Sequence, residues 1–365
     1  MWDTIQKLEY REKANISEAK QELQDRLSNR VELPLPGIHG EKLFLTGASK
    51  LRKRSAELNT LYEKQSLPWG VKDVILLDAY SSATIEGART TVAKVRKSFD
   101  NPNRTKDDVM VINTITASDY AYKYPITAKN IRRLWEKVVD GVCENDHQKG
   151  TLYRDGMVFI GNSGNIVHTP AAPEQLPELM ERCFAYRDSE TADLLTAAFG
   201  AHFYFVYVHP FCDGNGRTAR IANASYLYHS GYRKMKRLPL SSAINAQIGG
   251  YYGSLSDSEI CLSGPDGRWL DVSPFVSFMQ DAFERCLIDA SLSRNTLSEP
   301  ESTLLERMNK VGIGAEITAA KAAKVLKRSD SAARSVLKDL VQKGYLTEDT
   351  SHVPHIFRLQ KHIPD

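Results

Sequence analysis

A chain of 365 residues, 42% hydrophobic and 25% charged, has the composition of a globular protein with length for two or three domains. Its formal net charge of +3 is too near balance to argue for a polyanionic partner. Five scattered cysteines without Cys-x-x-Cys spacing argue against a disulfide framework or zinc site and read as reduced thiols.

The N-terminus, Met1-Trp2-Asp3-Thr4, lacks a basic stretch followed by an apolar one, and no run approaches eighteen apolar residues. The expected location is cytoplasmic. Residues 1–60 are polar and mostly helical in pattern, a segment expected to pack on a larger core. Leu33-Pro34-Leu35-Pro36-Gly37 interrupts it as an irregular connection. Trp69 to Arg89 then predicts a mainly apolar helix with Gly87 as its C′ cap. Ser82 and Glu86, four apart, share a face of that helix. A carboxylate at the end of an apolar helix is either exposed or, if buried, needs a cationic partner such as arginine.

Helices follow at Thr91–Phe99, Asp107–Tyr122 and Thr127–Val142, the last with Leu134 and Trp135 in core positions. Met157–Ile160 and Asn165–His168 are short β-prone runs around Gly161-Asn162-Ser163-Gly164, the pattern of a hairpin. Glu174–Tyr186 is amphipathic. Thr191–Val208 is apolar nearly all round and should be the central buried helix, with His202 as a core histidine.

Pro210 stops that helix at His209 and leaves the imidazole at its C-terminal end. Gly214-Asn215-Gly216 can turn tightly, so that backbone N–H groups converge on an anion at the start of a second helix. Arg217 and Arg220 lie three apart on one face of it, within reach of further phosphates. Asp213 beside the turn can hold a magnesium ion (Mg2+) that bridges phosphate oxygens. One proton acceptor, one metal carboxylate, an anion nest and two arginines describe a phosphoryl or nucleotidyl transfer site.

Beyond it, Ser241–Cys261 predicts a helix, and Trp269 with Val272–Ile288 another. Polar residues 291–300 read as a linker. In 301–365, helices at Ser302–Val311, Thr318–Lys327 and Asp330–Lys343 precede strands at Tyr345–Leu346 and His355–Leu359. That order resembles a winged helix-turn-helix. Its 11 Lys/Arg against 8 Asp/Glu make a weak basic patch, which leaves DNA binding and partner docking equally open.

The stretch His209-Pro210-Phe211-Cys212-Asp213-Gly214-Asn215-Gly216-Arg217-Thr218-Ala219-Arg220 matches every fixed position of a known signature, His-x-Phe-x-[Asp/Glu]-Gly-Asn-Gly-Arg-x-x-Arg. It belongs to the Fic (filamentation induced by cAMP) family, which the chain resembles over roughly residues 61–290. The resemblance implies a mainly α fold: a Fic-type helical bundle with a β-hairpin flap, followed by the C-terminal winged helix-turn-helix. It implies a protein adenylyltransferase, which moves AMP from ATP to a Ser, Thr or Tyr hydroxyl of a target protein and releases pyrophosphate. By the same resemblance His209 is the general base and Asp213 the magnesium ligand. Gly214, Asn215 and Gly216 cradle the phosphates, and Arg217 and Arg220 bind the β- and γ-phosphates.

Ser82-Ala83-Thr84-Ile85-Glu86-Gly87 is similar to the family's inhibitory motif. The helix at about 70–87 would therefore hold Glu86 against Arg220 and keep ATP from seating productively. The hairpin at 157–168 would be a flap on which the target protein docks by strand addition. Tyr251-Tyr252 resembles an adenine-pocket segment in which Gln247 stands where asparagine is usual, so Gln247 and Tyr252 are expected base contacts. Leu134-Trp135 replaces a common Leu-His pair, expected as a packing difference without catalytic consequence. A homodimer is expected only by resemblance. Alternatives are a nucleotide-sensing, DNA-binding regulator, or a site that removes AMP or transfers another nucleotide.

Overall fold

The computed structural model describes residues 24–359 except 66–70, 100, 102, 144–150, 163–164, 190–191, 265, 296–297, 310, 312–314 and 343–344. The first 23 residues of the expected N-terminal helical segment lie outside the described residues. In chain order the helices are α1 (Ala48–Lys64), α2 (Val71–Ile85), α3 (Val92–Ser98), α4 (Lys106–Lys123), α5 (Ile131–Val139), α6 (Leu176–Arg187) and α7 (Leu194–Val208). They continue as α8 (Asn215–His229), α9 (Leu240–Asn245), α10 (Ile248–Ser258), α11 (Ser273–Asn295), α12 (Glu299–Asn309), α13 (Ala319–Leu326) and α14 (Asp330–Gln342). Among the described residues, no helix is long and apolar enough to cross a membrane.

The apolar run leading to His209 becomes the axis of the bundle. Asp193 caps α7 by accepting from the Thr196 amide at 3.0 Å, and nearly every side chain from Leu195 to Phe205 is buried. Around α7 pack α6, α8 and α11, so the end of α7 is fixed by core contacts on several sides. Helix α2 lies against α4 and α9, which brings its C-terminal turn to the first turns of α8.

The N-terminal expectation needs correction. Residues 30–46 form two strands, β1 (Arg30–Pro36) and β2 (Lys42–Thr46), rather than a helix broken by prolines. Leu33 and Leu35 point inward while Pro34 and Pro36 point outward, a period of two hidden by the two prolines. Prolines are tolerated there because β1 is an edge strand. The sheet order is β1-β2-β6-β5, with β5 (Cys261–Gly264) and β6 (Gly267–Asp271) antiparallel and β2 parallel to β6. Trp269, expected in a helix, sits in β6 and meets Phe44 edge-on at 5.9 Å. The helix expected over 241–261 divides at Ala246-Gln247 into α9 and α10, and Cys261 opens β5.

The hairpin consists of β3 (Ile160–Asn162) and β4 (Asn165–His168), with a register shift at Ile160/Gly161. Met157, Val158 and Phe159 precede the ladder instead of joining it. The stretch read as a linker is largely helical: α11 runs through Asn295 and α12 begins at Glu299. Ser291-Leu292-Ser293-Arg294-Asn295 is polar but holds no helix breaker, and Pro300 falls in the first turn of α12, where it displaces no hydrogen bond. From α12 onward the order is helix, β7 (Glu316–Ile317), α13, α14, β8 (Leu346–Asp349) and β9 (Ile356–Leu359). Its sheet order is β7-β9-β8. Leu304, Ile317, Ala322, Leu337 and Phe357 form an apolar cluster of its own. The short β7 left no periodic trace in the sequence.

Candidate active site

The backbone at the end of α7 sets the imidazole. His209 is the C-cap residue with φ 55°, a left-handed conformation uncommon outside glycine. Pro210 has no N–H, so the Val206 carbonyl lacks the donor a continuing helix would supply. His209 Nδ1 takes that place at 3.2 Å. A carbonyl only accepts, so the proton resides on Nδ1 and the Nε2 lone pair is left to act as a base. Burial pushes the His209 pKa down to about 4, against the opposing pull of the Val206 carbonyl; the imidazole is neutral at pH 7.

Phe211 is buried and stacked on Trp135, with centroids 5.0 Å apart. Its amide donates to Asn215 Oδ1 at 2.9 Å, and Asn215 Nδ2 donates back to the Phe211 carbonyl at 2.7 Å. The Asn215 side chain therefore closes the loop rather than facing a ligand; only its backbone remains for the cradle. Gly214, at φ 74°, is the N-cap of α8, whose first-turn amides have no acceptors within the helix and stand at the positive end of its dipole.

Trp135 does more than pack. Its Nε1–H donates to the Asp213 carbonyl at 2.8 Å, so the indole holds the backbone of the candidate metal ligand. Trp135→Phe keeps the stack on Phe211 and removes the donor. It should lower the unfolding free energy by about 1 kcal/mol, measurable by urea denaturation. An unchanged midpoint would show that the bond contributes nothing.

Both arginines are buried. Arg217 donates from Nη1 to the Val138 carbonyl at 3.2 Å and from Nη2 to Asp213 at 3.4 Å. Arg220 donates from Nε to Ser82 Oγ at 2.8 Å. Its Nη2 reaches the Ser82 carbonyl at 2.9 Å and Glu86 Oε1 at 2.7 Å. Glu86 is held by the turn that ends α2. Ala88 N–H donates to the Ala83 carbonyl at 3.0 Å and Gly87 N–H to that of Thr84 at 2.9 Å, with Gly87 at φ 88°. This paired closure needs a left-handed residue, and glycine supplies it. A Cβ on Gly216 would run into the Glu86 carboxylate, so that group lies against the first turn of α8. Glu86 thus takes an anion's place twice, on a guanidinium and at a helix N-terminus.

Tyr252 Oη donates to the Ile85 carbonyl at 3.3 Å, beside Glu86. Tyr251 is buried, with its hydroxyl 3.2 Å from His202 Nε2. Burial pushes the His202 pKa down to about 3, so it is a neutral core histidine. Gln247 opens α10 at the break after α9.

Sequence reasoning gave no role to Arg154. This buried side chain donates from Nε to the His209 carbonyl at 2.8 Å, from Nη1 to Gly156 at 2.8 Å, and from Nη2 to Ala171. It ties both roots of the hairpin to the loop that carries the imidazole. An arginine before a β-prone run signals this only weakly, because its partners are backbone carbonyls that any sequence provides. Among the described residues no cluster of three or more acidic, His or Cys side chains could hold a metal. Asp213 is a lone, half-exposed carboxylate, which suits a magnesium ion that takes its other ligands from phosphate and water.

Fold and site together define a helical bundle in which one helix ends in an imidazole and the next begins at an anion seat backed by buried arginines. Residues 125–227 match the family model described as Fic/DOC family. It is 30% identical to a protein named Protein adenylyltransferase Fic from Drosophila willistoni, over 66% of this chain and 46% of the relative. The protein of that name from Drosophila persimilis is 31% identical over 64% and 44%. The chain spans less than half the length of these curated relatives. A Fic family protein from Desulfovibrio desulfuricans G20 shares the fold at TM-score 0.58 and 19% identity, over 87% of this chain and 97% of that one. A Fic domain containing signaling protein from Bacteroides thetaiotaomicron does so at TM-score 0.51 and 20% identity, over 68% and 97%.

Proposed function

We propose that the chain is an autoinhibited protein adenylyltransferase that transfers AMP from ATP to a hydroxyl of a target protein. The observation that carries this reading is the Glu86 carboxylate, paired with Arg220 and seated against the first turn of α8 beside a neutral His209. In the active form, His209 Nε2 removes the proton of the incoming hydroxyl. The hydroxyl oxygen bonds to the α-phosphorus, the bond from that phosphorus to the bridging oxygen breaks, and pyrophosphate leaves. Arg217, Arg220 and the α8 amides meet the charge of the leaving phosphates. Asp213 would hold magnesium, which neutralises phosphate charge when bound. The hairpin offers a target exposed apolar side chains, Phe159, Ile166 and Val167, next to its ladder. Tyr252 and Gln247 are the candidates for adenine contact. The test is AMP incorporation from labelled ATP by the Glu86→Gly variant, with its loss on His209→Ala.

A second reading, a nucleotide-sensing regulator, is favoured by the C-terminal unit. The order of α12 to β9 suits a winged helix-turn-helix, and Lys321, Lys324, Arg328, Arg334 and Lys338 are exposed on α13, α14 and the turn between them. It predicts binding to labelled duplex DNA that weakens at least tenfold between about 50 and 200 mM salt, measured by fluorescence anisotropy. Absence of binding at low salt would remove this reading.

A further inference from the structure

We propose that His168, on the returning strand of the hairpin, is a positioning residue that, as an imidazolium, latches that strand to the last turn of α7 beside His209. Nε2 of His168 lies 2.7 Å from the Tyr207 carbonyl and Nδ1 lies 2.8 Å from Glu259 Oε2. A carbonyl accepts and an ionised carboxylate accepts, so the arrangement is satisfied only when both ring nitrogens carry protons. The Tyr207 carbonyl is available because the amide that would reach it in a longer helix, that of Phe211, donates to Asn215 instead. A cation at this position also suits the negative end of the α7 dipole.

The carbonyls at the end of α7 are thus divided among three side chains. His209 takes Val206, His168 takes Tyr207 and Arg154 takes the carbonyl of His209 itself. The last two belong to the hairpin or its root. Ile166 and Val167, next to His168 on β4, are exposed and give the strand no apolar seat. The imidazole, mostly buried between α7 and the end of α10, is what fastens it.

Among the described residues, the titratable and charged groups around His168 are Glu259 at the end of α10 and Tyr207 and His209 on α7. Glu41, Cys261 and Arg268 lie beyond Tyr207. Arg268 is paired with Glu41 at 2.7 Å and His209 is neutral, which leaves Glu259 as the carboxylate facing the ring. Burial lowers the His168 pKa, but the bonds to Glu259 and Tyr207 outweigh it and the net shift is upward. A group whose folded pKa is raised stabilises fully below its unfolded value of about 6.5 and loses that contribution as pH rises through the folded value. The latch is therefore closed in mildly acidic solution and loosens toward alkaline pH.

The role assigned to the strand rests on the adenylyltransferase reading, but the latch has a readout of its own. Hydrogen exchange in the full chain, followed by mass spectrometry over 156–171, should speed up about tenfold at pH 6.5 in His168→Gln and in Glu259→Gln, with α11 unchanged. Wild-type protection of the same peptides, corrected for intrinsic exchange, should fall as pH rises, and His168 should titrate at lower pH in Glu259→Gln by NMR. In the Glu86→Gly background, Glu259→Gln should raise KM for the target protein about tenfold and leave KM for ATP and kcat unchanged. Equal exchange in wild type and Glu259→Gln, or protection that ignores pH, overturns the latch even if His168→Gln does not fold. Altered exchange without any AMP transfer by the Glu86→Gly chain supports the latch and sinks the enzymatic reading instead.

Discussion

Glu86→Gly should raise AMP transfer from labelled ATP by about two orders of magnitude. Arg220 is almost wholly buried and donates to Glu86 at 2.7 Å, while Glu86 is itself 28% exposed. Breaking a fully buried pair costs about 3–5 kcal/mol; exposure of one partner discounts this to about 3 kcal/mol. A nucleotide that must displace the carboxylate carries that cost, and each 1.4 kcal/mol is about tenfold. The variant also takes the carboxylate away from the buried Arg220, so its Tm should fall without nucleotide. Addition of ATP and magnesium should then raise Tm more in the variant than in wild type, because the ligand supplies the missing anion. Equal transfer and an equal Tm response in the two proteins would show that Glu86 does not compete with the nucleotide.

His209→Ala in the Glu86→Gly background should lower transfer by about a thousandfold or more, the scale of a lost general base. The pH profile is more diagnostic. A base works when neutral, and burial holds the His209 pKa at about 4 instead of the ordinary 6.5. The acid limb of kcat/KM should therefore fall near pH 4, with activity retained from pH 7 down to 5. A limb at 6.5 would mean that the imidazole is solvated in the active form. The same depression has a cost for folding. Between pH 6.5 and 4 the unfolded chain takes up a proton at His209 and at His202 that the folded chain does not, so stability declines with acidification over that range.

Asn215 has a side-chain role that spacing did not reveal. Its place in Gly214-Asn215-Gly216 suggests a phosphate contact, yet its amide side chain spends both of its ends on Phe211. Trp135 is the buried core residue its pattern predicts, and it also donates to the carbonyl of Asp213, 78 residues away. Arg154 and His168 act on backbone carbonyls, which carry no residue identity for a sequence to reveal. The sheet was missed for a similar reason, because β2 pairs with β6 across more than two hundred residues.

By itself the sequence determined several features set within a turn or two of helix. Pro210 halts α7 at His209, Gly87 ends α2, Ser82 and Glu86 share a face, and so do Arg217 and Arg220. Such features follow from φ, ψ and the 3.6-residue repeat, which neighbouring residues control. The meeting of Glu86 with Arg220, 134 residues away, was expected through the family resemblance and not from local spacing, and only the tertiary structure decided that Trp135 and Arg154 brace the loop and that His168 sits between Tyr207 and Glu259. Those contacts depend on how buried faces stack once the helices pack, and no local spacing encodes them.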